Sequence, residues 1–166
     1  MKMLVWFLGL QITALGLQTF DLHQIRGLYH HAAEAKQDAI QLNKLMLEVD
    51  SSALPVIVCY KGANEMIQAK YSMNPITKLN KFNKGKYLIE KAFSRDTLNL
   101  EMHFIRYALQ INLPDFLGYH QELNKDKHFL LDNTKASQDP ELQQIIFNYL
   151  SGLAVIKPEE LKQLKN

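Results

Sequence analysis

The sequence predicts an all-α fold built from stacked antiparallel helical hairpins. Apolar residues recur at steps of three and four along most of the 166-residue chain, the spacing of helices with one buried side. Helix starts are marked by Asp, Asn or Ser with a proline close behind. No segment shows convincing strand alternation, and seven glycines and five prolines are few for an all-β domain. We expect about six helices after an N-terminal signal peptide.

The first helix is predicted between residues 22 and 49, because the apolar residues keep a strict helical spacing there. Alanines in the middle of this seam allow another helix to approach closely. An alanine-rich seam buries little area, so packing within the chain is favoured over a coiled-coil dimer. The seam consists of Ile25, Leu28, Ala32, Ala35, Ala39, Leu42, Met46 and Val49.

Two helices with proline in their first turn are predicted next. Ser51 or Ser52 is expected to cap the second helix, which contains Pro55 and runs to about residue 71. Asn74 is expected to cap the third, which begins at Pro75 and runs to about residue 94. Their predicted buried faces are Val56, Cys59, Tyr60, Ala63 and Ile67 in the second helix, and Leu79, Phe82, Gly85, Ile89, Ala92 and Phe93 in the third.

Three further helices complete the prediction. The fourth lies within "NLEMHFIRYALQINLP", with Asp96, Thr97 or Asn99 as its cap and an end before Pro114. A fifth is predicted from "PDFLGYHQEL", resuming at "DKHFLLDN". After a polar linker, Asp139 is expected to cap the sixth, which buries Leu142, Ile145, Ile146, Tyr149 and Leu150.

The first 16 residues have the pattern of a secretory signal peptide. Lys2 supplies a short positive region, and residues 3–15 form an apolar run interrupted only by Gln11 and Thr13. Ala14 and Gly16 are small residues at a possible cleavage site. The apolar run is short for a membrane span, which needs about 20 residues. The predicted organisation is therefore a signal peptide at 1–16, a helical domain at 17–156 and a polar tail at 157–166, with a periplasmic or secreted location and no transmembrane segment after cleavage.

Charge and cysteine usage limit the function classes. The net charge of +2 predicts no strong attraction to nucleic acid or anionic lipid. Cys59 is the single cysteine, so an intramolecular disulfide is excluded, and its apolar neighbours predict a buried, inert thiol. Lysines of the third helix accompany Phe82 and Tyr87, but they flank the apolar face on both sides, as on any exposed helix.

The stretch "KYLIEKAFSRDTLNLEMHFIRYALQ" resembles the junction between consecutive tetratricopeptide (TPR) repeats. Ala92 and Phe93 match the end of one helix, Asn99 matches the loop, Thr97 stands near the expected proline, and Gly62 sits where the repeats place a small residue. The resemblance covers residues 53–113 and implies TPR-like hairpins that bind peptides or proteins on a concave face. The chain as a whole resembles uncharacterised exported helical proteins of Bacteroidetes-type bacteria, which implies a cell-envelope setting.

Glu101 is the polar residue that stands out, because it falls within the apolar arc of the fourth helix while His103, Arg106 and Gln110 project to the opposite side. A carboxylate in the first turn is favoured by the helix dipole, and a buried one needs a cationic partner. Lys61, Lys70 or Lys78 is the expected partner. The structural interpretation is an ion pair or cap; the alternative is a polar ligand pocket formed by Lys61, Lys70, Glu101 and Arg106.

No catalytic or metal-binding motif is evident. His31, Glu34 and Asp38 share a flank that is able to hold a divalent cation, but HExxH, CxxC, GxSxG and SxxK are all missing. The sequence predicts no cofactor and no enzyme activity. The expected function is that of an exported binding or scaffold protein for a peptide, protein or envelope component, monomeric or weakly homo-oligomeric. The alternatives are a ligand-binding protein or enzyme with a pocket around Glu101, and a structural homo-oligomer.

Overall fold

All secondary structure is helical in the computed structural model, which describes residues 20–165. This part of the chain forms eight α-helices: α1 (Leu22–Ala32), α2 (Lys36–Leu47), α3 (Pro55–Tyr71), α4 (Pro75–Phe93), α5 (Leu100–Asn112), α6 (Leu123–Asn133), α7 (Pro140–Ser151) and α8 (Pro158–Lys165). A 3-10 turn at Asp115–Leu117 separates α5 from α6. The all-α prediction is confirmed. The predicted signal peptide, residues 1–16, lies outside the described residues.

The first predicted helix is a hairpin of two helices, which is one reason why the described chain has eight helices instead of about six. The carbonyl oxygen of His31 accepts hydrogen bonds from the N–H groups of Glu34 and Ala35, and the chain turns back there. An unbroken helix over residues 22–49 would be about 42 Å long, too long for shorter partners to cover. Folding back buries most of the alanine-rich seam in a shared core.

The second reason for the higher count is the C-terminal tail, where α8 forms. Leu161 and Leu164 of α8 are partly buried against the core formed by α5 to α7. Lys127 of α6 also lies 2.8 Å from Glu160 of α8. The tail is polar in composition, but these contacts cover its apolar side.

α3 is the central helix of the described chain. It packs most closely against α4 and also contacts α1, α2 and α5. Its predicted buried face is confirmed, and burial extends to almost every position from Val56 to Ile67. Gly62 allows the close approach of α4, because an added Cβ there would lie 2.7 Å from the carbonyl oxygen of Gly85. An added Cβ at Gly85 would lie 2.6 Å from the Gly62 carbonyl oxygen.

Most of the predicted caps are present. The side chain of Asn74 accepts hydrogen bonds from the first turn of α4, Asn99 does so for α5, and Asp139 for α7. The prediction for Ser51 or Ser52 is wrong, since α3 begins after Leu54 with no side-chain cap. Pro55 is the first residue of α3. Because proline has no backbone N–H, the start of this helix has one donor fewer to satisfy, which reduces the need for a cap.

The apolar interior forms two clusters that meet at α5. The first surrounds α3 and takes Met102 and Ile105 from α5, whereas the second joins α5 to α6, α7 and α8 and includes Phe104 and Tyr107. α5 is thus covered on both sides. One prediction for α4 is wrong: Leu79 is 52% exposed, although the rest of the predicted face is buried.

Candidate functional site

A groove of about 1200 Å³ lies between α1 and α7. α3 and α5 form its floor, and the start of α4 and the 3-10 turn lie at one end. The lining is mainly apolar, with His30, Glu34, Lys70, Lys78 and Asn112 among its polar side chains. The apolar lining includes Tyr29, Ile67, Leu79, Phe82, Phe104, Leu109, Phe116, Leu117, Leu142, Ile145, Tyr149 and Leu153.

A buried ion pair lies in the wall at the other end of the groove. Arg26 of α1 binds Glu101 of α5 through two hydrogen bonds, Nε to Oε1 at 2.6 Å and Nη2 to Oε2 at 2.8 Å. The two side chains are only 8% and 5% exposed. The hydroxyl of Tyr60 on α3 donates a further hydrogen bond to Oε1 of Glu101 at 2.6 Å. Both carboxylate oxygens are therefore occupied.

Arg26 also connects α1 to the start of α7. Its Nη2 lies 2.7 Å from Asp139 Oδ2, and its Nη1 lies 2.9 Å from Glu141 Oε2. We refer to Arg26, Tyr60, Glu101, Asp139 and Glu141 as the Arg26 cluster. One guanidinium faces three carboxylates there, so this end of the groove is acidic on balance.

The pKa values of the Arg26 cluster follow from these contacts. The hydrogen bond from Arg26 lowers the pKa of Glu141. Burial tends to raise the pKa of Asp139, but hydrogen bonds from the backbone N–H of Leu142 and from Arg26 outweigh it, and the pKa is lowered. Burial and the adjacent Glu101 carboxylate raise the pKa of Tyr60 well above its ordinary value. A neutral phenol and a fully hydrogen-bonded carboxylate are poorly suited to acid–base catalysis.

A second buried ionic cluster lies between α5 and α6, away from the groove. Arg106 Nε lies 2.7 Å from Asp126 Oδ2, and its Nη2 lies 2.8 Å from Asp126 Oδ1. Arg106 also approaches Glu90 and Glu122 at 3.2 and 3.7 Å. The guanidinium carbon is 3.6 Å from the centre of the Phe93 ring. These five residues, with His103, are called the Arg106 cluster below.

His103 is held firmly within the Arg106 cluster. Its Nδ1 lies 2.6 Å from Asp126 Oδ1 and its Nε2 lies 3.0 Å from the carbonyl oxygen of Thr97. The ring stacks on Phe129 with 3.7 Å between ring centres. Each ring nitrogen thus faces a hydrogen-bond acceptor within the protein. A small polar cavity of about 320 Å³ adjoins this cluster.

The four residues predicted to form one pocket lie in different places. Glu101 and Lys70 line the groove. Arg106 belongs to the second cluster, on the other side of α5. Lys61 donates to the carbonyl oxygen of Val49, and Lys70 donates to a carbonyl oxygen at the end of α1, 2.6 Å away. The structure does not bring the four together.

The burial of Glu101 is confirmed, but the predicted partner is wrong. We expected Lys61, Lys70 or Lys78, whereas the partner is Arg26 on α1. The prediction considered cations on the neighbouring predicted helices. It did not include α1, which is distant in sequence and reaches Glu101 because it packs beside α3. One feature of the sequence could have indicated the burial of Arg26: it is adjacent on α1 to Ile25, which is buried.

The polar residues expected on the exposed side of α5 are also buried. His103 and Arg106 are covered by α6, whose Asp126 is fully buried. Gln110 is fully buried too, and neither polar atom of its side chain has a hydrogen-bond partner within residues 20–165. Helical periodicity located the apolar arc correctly but gave no sign that a second helix covers the opposite side.

Other predicted features have clear positions. Cys59 is fully buried, and burial raises the pKa of its thiol. His31, Glu34 and Asp38 share no helical flank, because the turn between α1 and α2 separates them. Within residues 20–165 no group of three or more His, Cys, Asp or Glu side chains is placed to hold a metal ion. In the same range, no helix has both the length and the apolarity to cross a bilayer.

The chain was compared with protein-family models, with curated proteins and with solved structures. No match was found in any of the three comparisons.

Proposed function

We propose that the protein is an exported, non-enzymatic binding protein that holds an apolar segment of a peptide in the groove between α1 and α7. The observation that carries this proposal is the groove itself. Its volume of about 1200 Å³ exceeds the 300–1000 Å³ of typical small-molecule pockets. Its floor offers a continuous apolar surface to an extended or helical segment.

The polar groups along the groove favour a peptide over a plain hydrocarbon chain. His30 and Glu34 line one wall, and Lys70 and Lys78 lie toward the open end. A peptide backbone and its polar side chains are able to hydrogen-bond with such groups, whereas an acyl chain is not. The resemblance of residues 53–113 to TPR-like hairpins also supports peptide recognition on a concave face.

The ionic clusters support a binding role over catalysis. Glu101 binds Arg26 and Tyr60, and Arg106 binds Asp126, so their charged atoms are already paired. A small polar ligand at Glu101 would have to replace these contacts. The small-ligand pocket is therefore the weaker alternative. The other alternative, a homo-oligomer that uses the groove, would show a molecular mass in solution that rises with protein concentration.

Export rests on the apolar run of residues 3–15 and the small residues that follow it. A single cysteine, fully buried at position 59, is compatible with an oxidising compartment. The N-terminal sequence of the protein isolated from its own cells tests this part of the proposal. A start at or near Leu17 supports export, and a start at Met1 in a cytoplasmic fraction contradicts it.

The groove is tested with peptides selected from a random display library against the full chain. Ala108 lines the floor of α5, and Ala108→Trp would place an indole in the groove. Ala136 is exposed in the connection between α6 and α7, so Ala136→Trp is the matched control. We expect the control to bind the selected peptides like the parent, and Ala108→Trp to bind at least about tenfold more weakly. Equal binding by all three proteins would exclude the groove.

A further inference from the structure

The start of α4 projects from the body of the protein. Every residue from 73 to 80 is exposed, including Met73 at 95%, Ile76 at 71% and Leu79 at 52%. Ile76 and Leu79 are three residues apart and lie on the same side of α4. Phe116 of the 3-10 turn is 85% exposed and lines the same end of the groove as Leu79. These four side chains are called the apolar lip.

Positive charge is concentrated beside the lip. Residues 66–89 contain five lysines and no acidic residue. Lys70 and Lys78 line the mouth of the groove, and neither lies within 4.0 Å of a carboxylate of the described chain, whereas Lys81 and Lys84 contact Glu65. The net charge of +2 concealed this distribution, because the rest of the chain is negative on balance.

We propose that the apolar lip docks the protein on an anionic membrane surface. Exposed apolar side chains next to lysines are the combination that inserts into the boundary between headgroups and acyl chains. The lysines would meet lipid phosphates, while Ile76 and Phe116 would enter the apolar layer. Asp115 adjoins Phe116 and opposes this attraction, so binding is expected to be weak and sensitive to salt.

A membrane fits this surface better than an acidic protein does. Met73 and Ile76 are highly exposed and are not among the residues that line the groove, so no pocket of the described chain positions them. A fluid lipid layer accepts such side chains without a complementary shape. Docking through the lip would also turn the open end of the groove toward the bilayer. The proposal goes beyond the proposed peptide binding and does not depend on it.

Site-specific labelling tests the proposal in the full chain. Ile76→Cys and Leu47→Cys each carry an environment-sensitive NBD dye; both native side chains are 71% exposed, and Leu47 lies near the start of α3, remote from the lip. The native thiol of Cys59 is fully buried, so we expect the dye not to react with it in the folded protein. The probes are vesicles of phosphatidylcholine with about 30% phosphatidylglycerol, and vesicles of phosphatidylcholine alone.

With the anionic vesicles, we expect the fluorescence emission of the dye at position 76 to shift to shorter wavelength. The emission of the dye at position 47 should remain unchanged. The apolar residues 3–15 are present in both labelled proteins, so equal responses at 76 and 47 would mean anchoring by that segment and would overturn the proposal. Reversing Lys70 and Lys78 to Glu should weaken vesicle binding at least roughly tenfold, since each lysine near such a surface contributes about fivefold.

Two other outcomes would also overturn membrane docking. One is the absence of any response at position 76 with either type of vesicle. The other is a response at position 76 to the selected peptides but not to vesicles, which would make the lip part of the peptide site. Failure of the peptide proposal is recognised separately, because Ala108→Trp should leave the vesicle response at position 76 unchanged.

Discussion

Removal of the Arg26 guanidinium should destabilise the protein strongly. Arg26→Met keeps an apolar side chain of similar length but leaves Glu101, which is 5% exposed, without its two hydrogen bonds from the guanidinium. Breaking a buried ion pair on one side costs about 3–5 kcal/mol. Because Tyr60 still donates to Glu101, we expect the lower end of that range. For a chain of this size, the melting temperature should fall by about 10 °C.

Urea unfolding followed by circular dichroism measures this loss. The matched control is Arg95→Met, since Arg95 is exposed and makes one hydrogen bond to the Ser51 carbonyl oxygen; its effect should stay within about 0.5 kcal/mol. Arg26→Met combined with Glu101→Gln removes the buried charge and keeps an acceptor for Tyr60. This double variant should recover at least half of the loss. An unchanged midpoint for Arg26→Met, or a double variant with additive losses, would refute the argument.

The remaining predictions concern packing, a buried amide and pH. Gly62→Ala should lower the free energy of unfolding by about 1–3 kcal/mol, because its Cβ would lie 2.7 Å from a carbonyl oxygen of α4. Gly27→Ala is the control: its Cβ would meet no atom of the described chain within 4 Å, so helix propensity should stabilise the variant by up to about 1 kcal/mol. Gln110→Met should raise the melting temperature, because the buried amide has no hydrogen-bond partner within residues 20–165, and a lower melting temperature would reveal a partner such as bound water. The pKa of Asp139 is lowered in the folded state, so its contribution is complete above the unfolded value of about 3.9 and is lost as the pH falls through the lower folded pKa. In Asp139→Asn and in Arg26→Met, the free energy of unfolding should therefore fall less steeply at acidic pH than in the parent. An unchanged dependence on pH in both variants would contradict the contact between Arg26 and Asp139.

Local signals predicted the helices well because they depend on neighbouring residues. Asn74, Asn99 and Asp139 cap helices as expected, since a side-chain oxygen next to a free backbone N–H needs no tertiary context. The turn between α1 and α2 was not predictable in this way. The apolar spacing continues through Ala35, and the break is set by how both halves pack around α3.

The candidate site was predicted only in part, for the same reason. The helical position of Glu101 predicts its burial, and that is correct. Its partner Arg26 is 75 residues away in sequence. Arg26 is in turn 113 residues from Asp139 and 115 residues from Glu141, the acidic groups at the start of α7. The groove arises from the placement of α1 and α7 on either side of α3 and α5. No local pattern in the sequence encodes that placement.

The Arg26 cluster has a consequence for the order in which the molecule matures during synthesis. Its members come from α1, α3, α5 and the start of α7, so translation must proceed as far as Glu141 before all of them can meet. A nascent chain that ends before Asp139 has one side of the groove and lacks the other. If the groove binds a peptide as proposed, a product released from translation before Asp139 would have no complete groove in which to bind it.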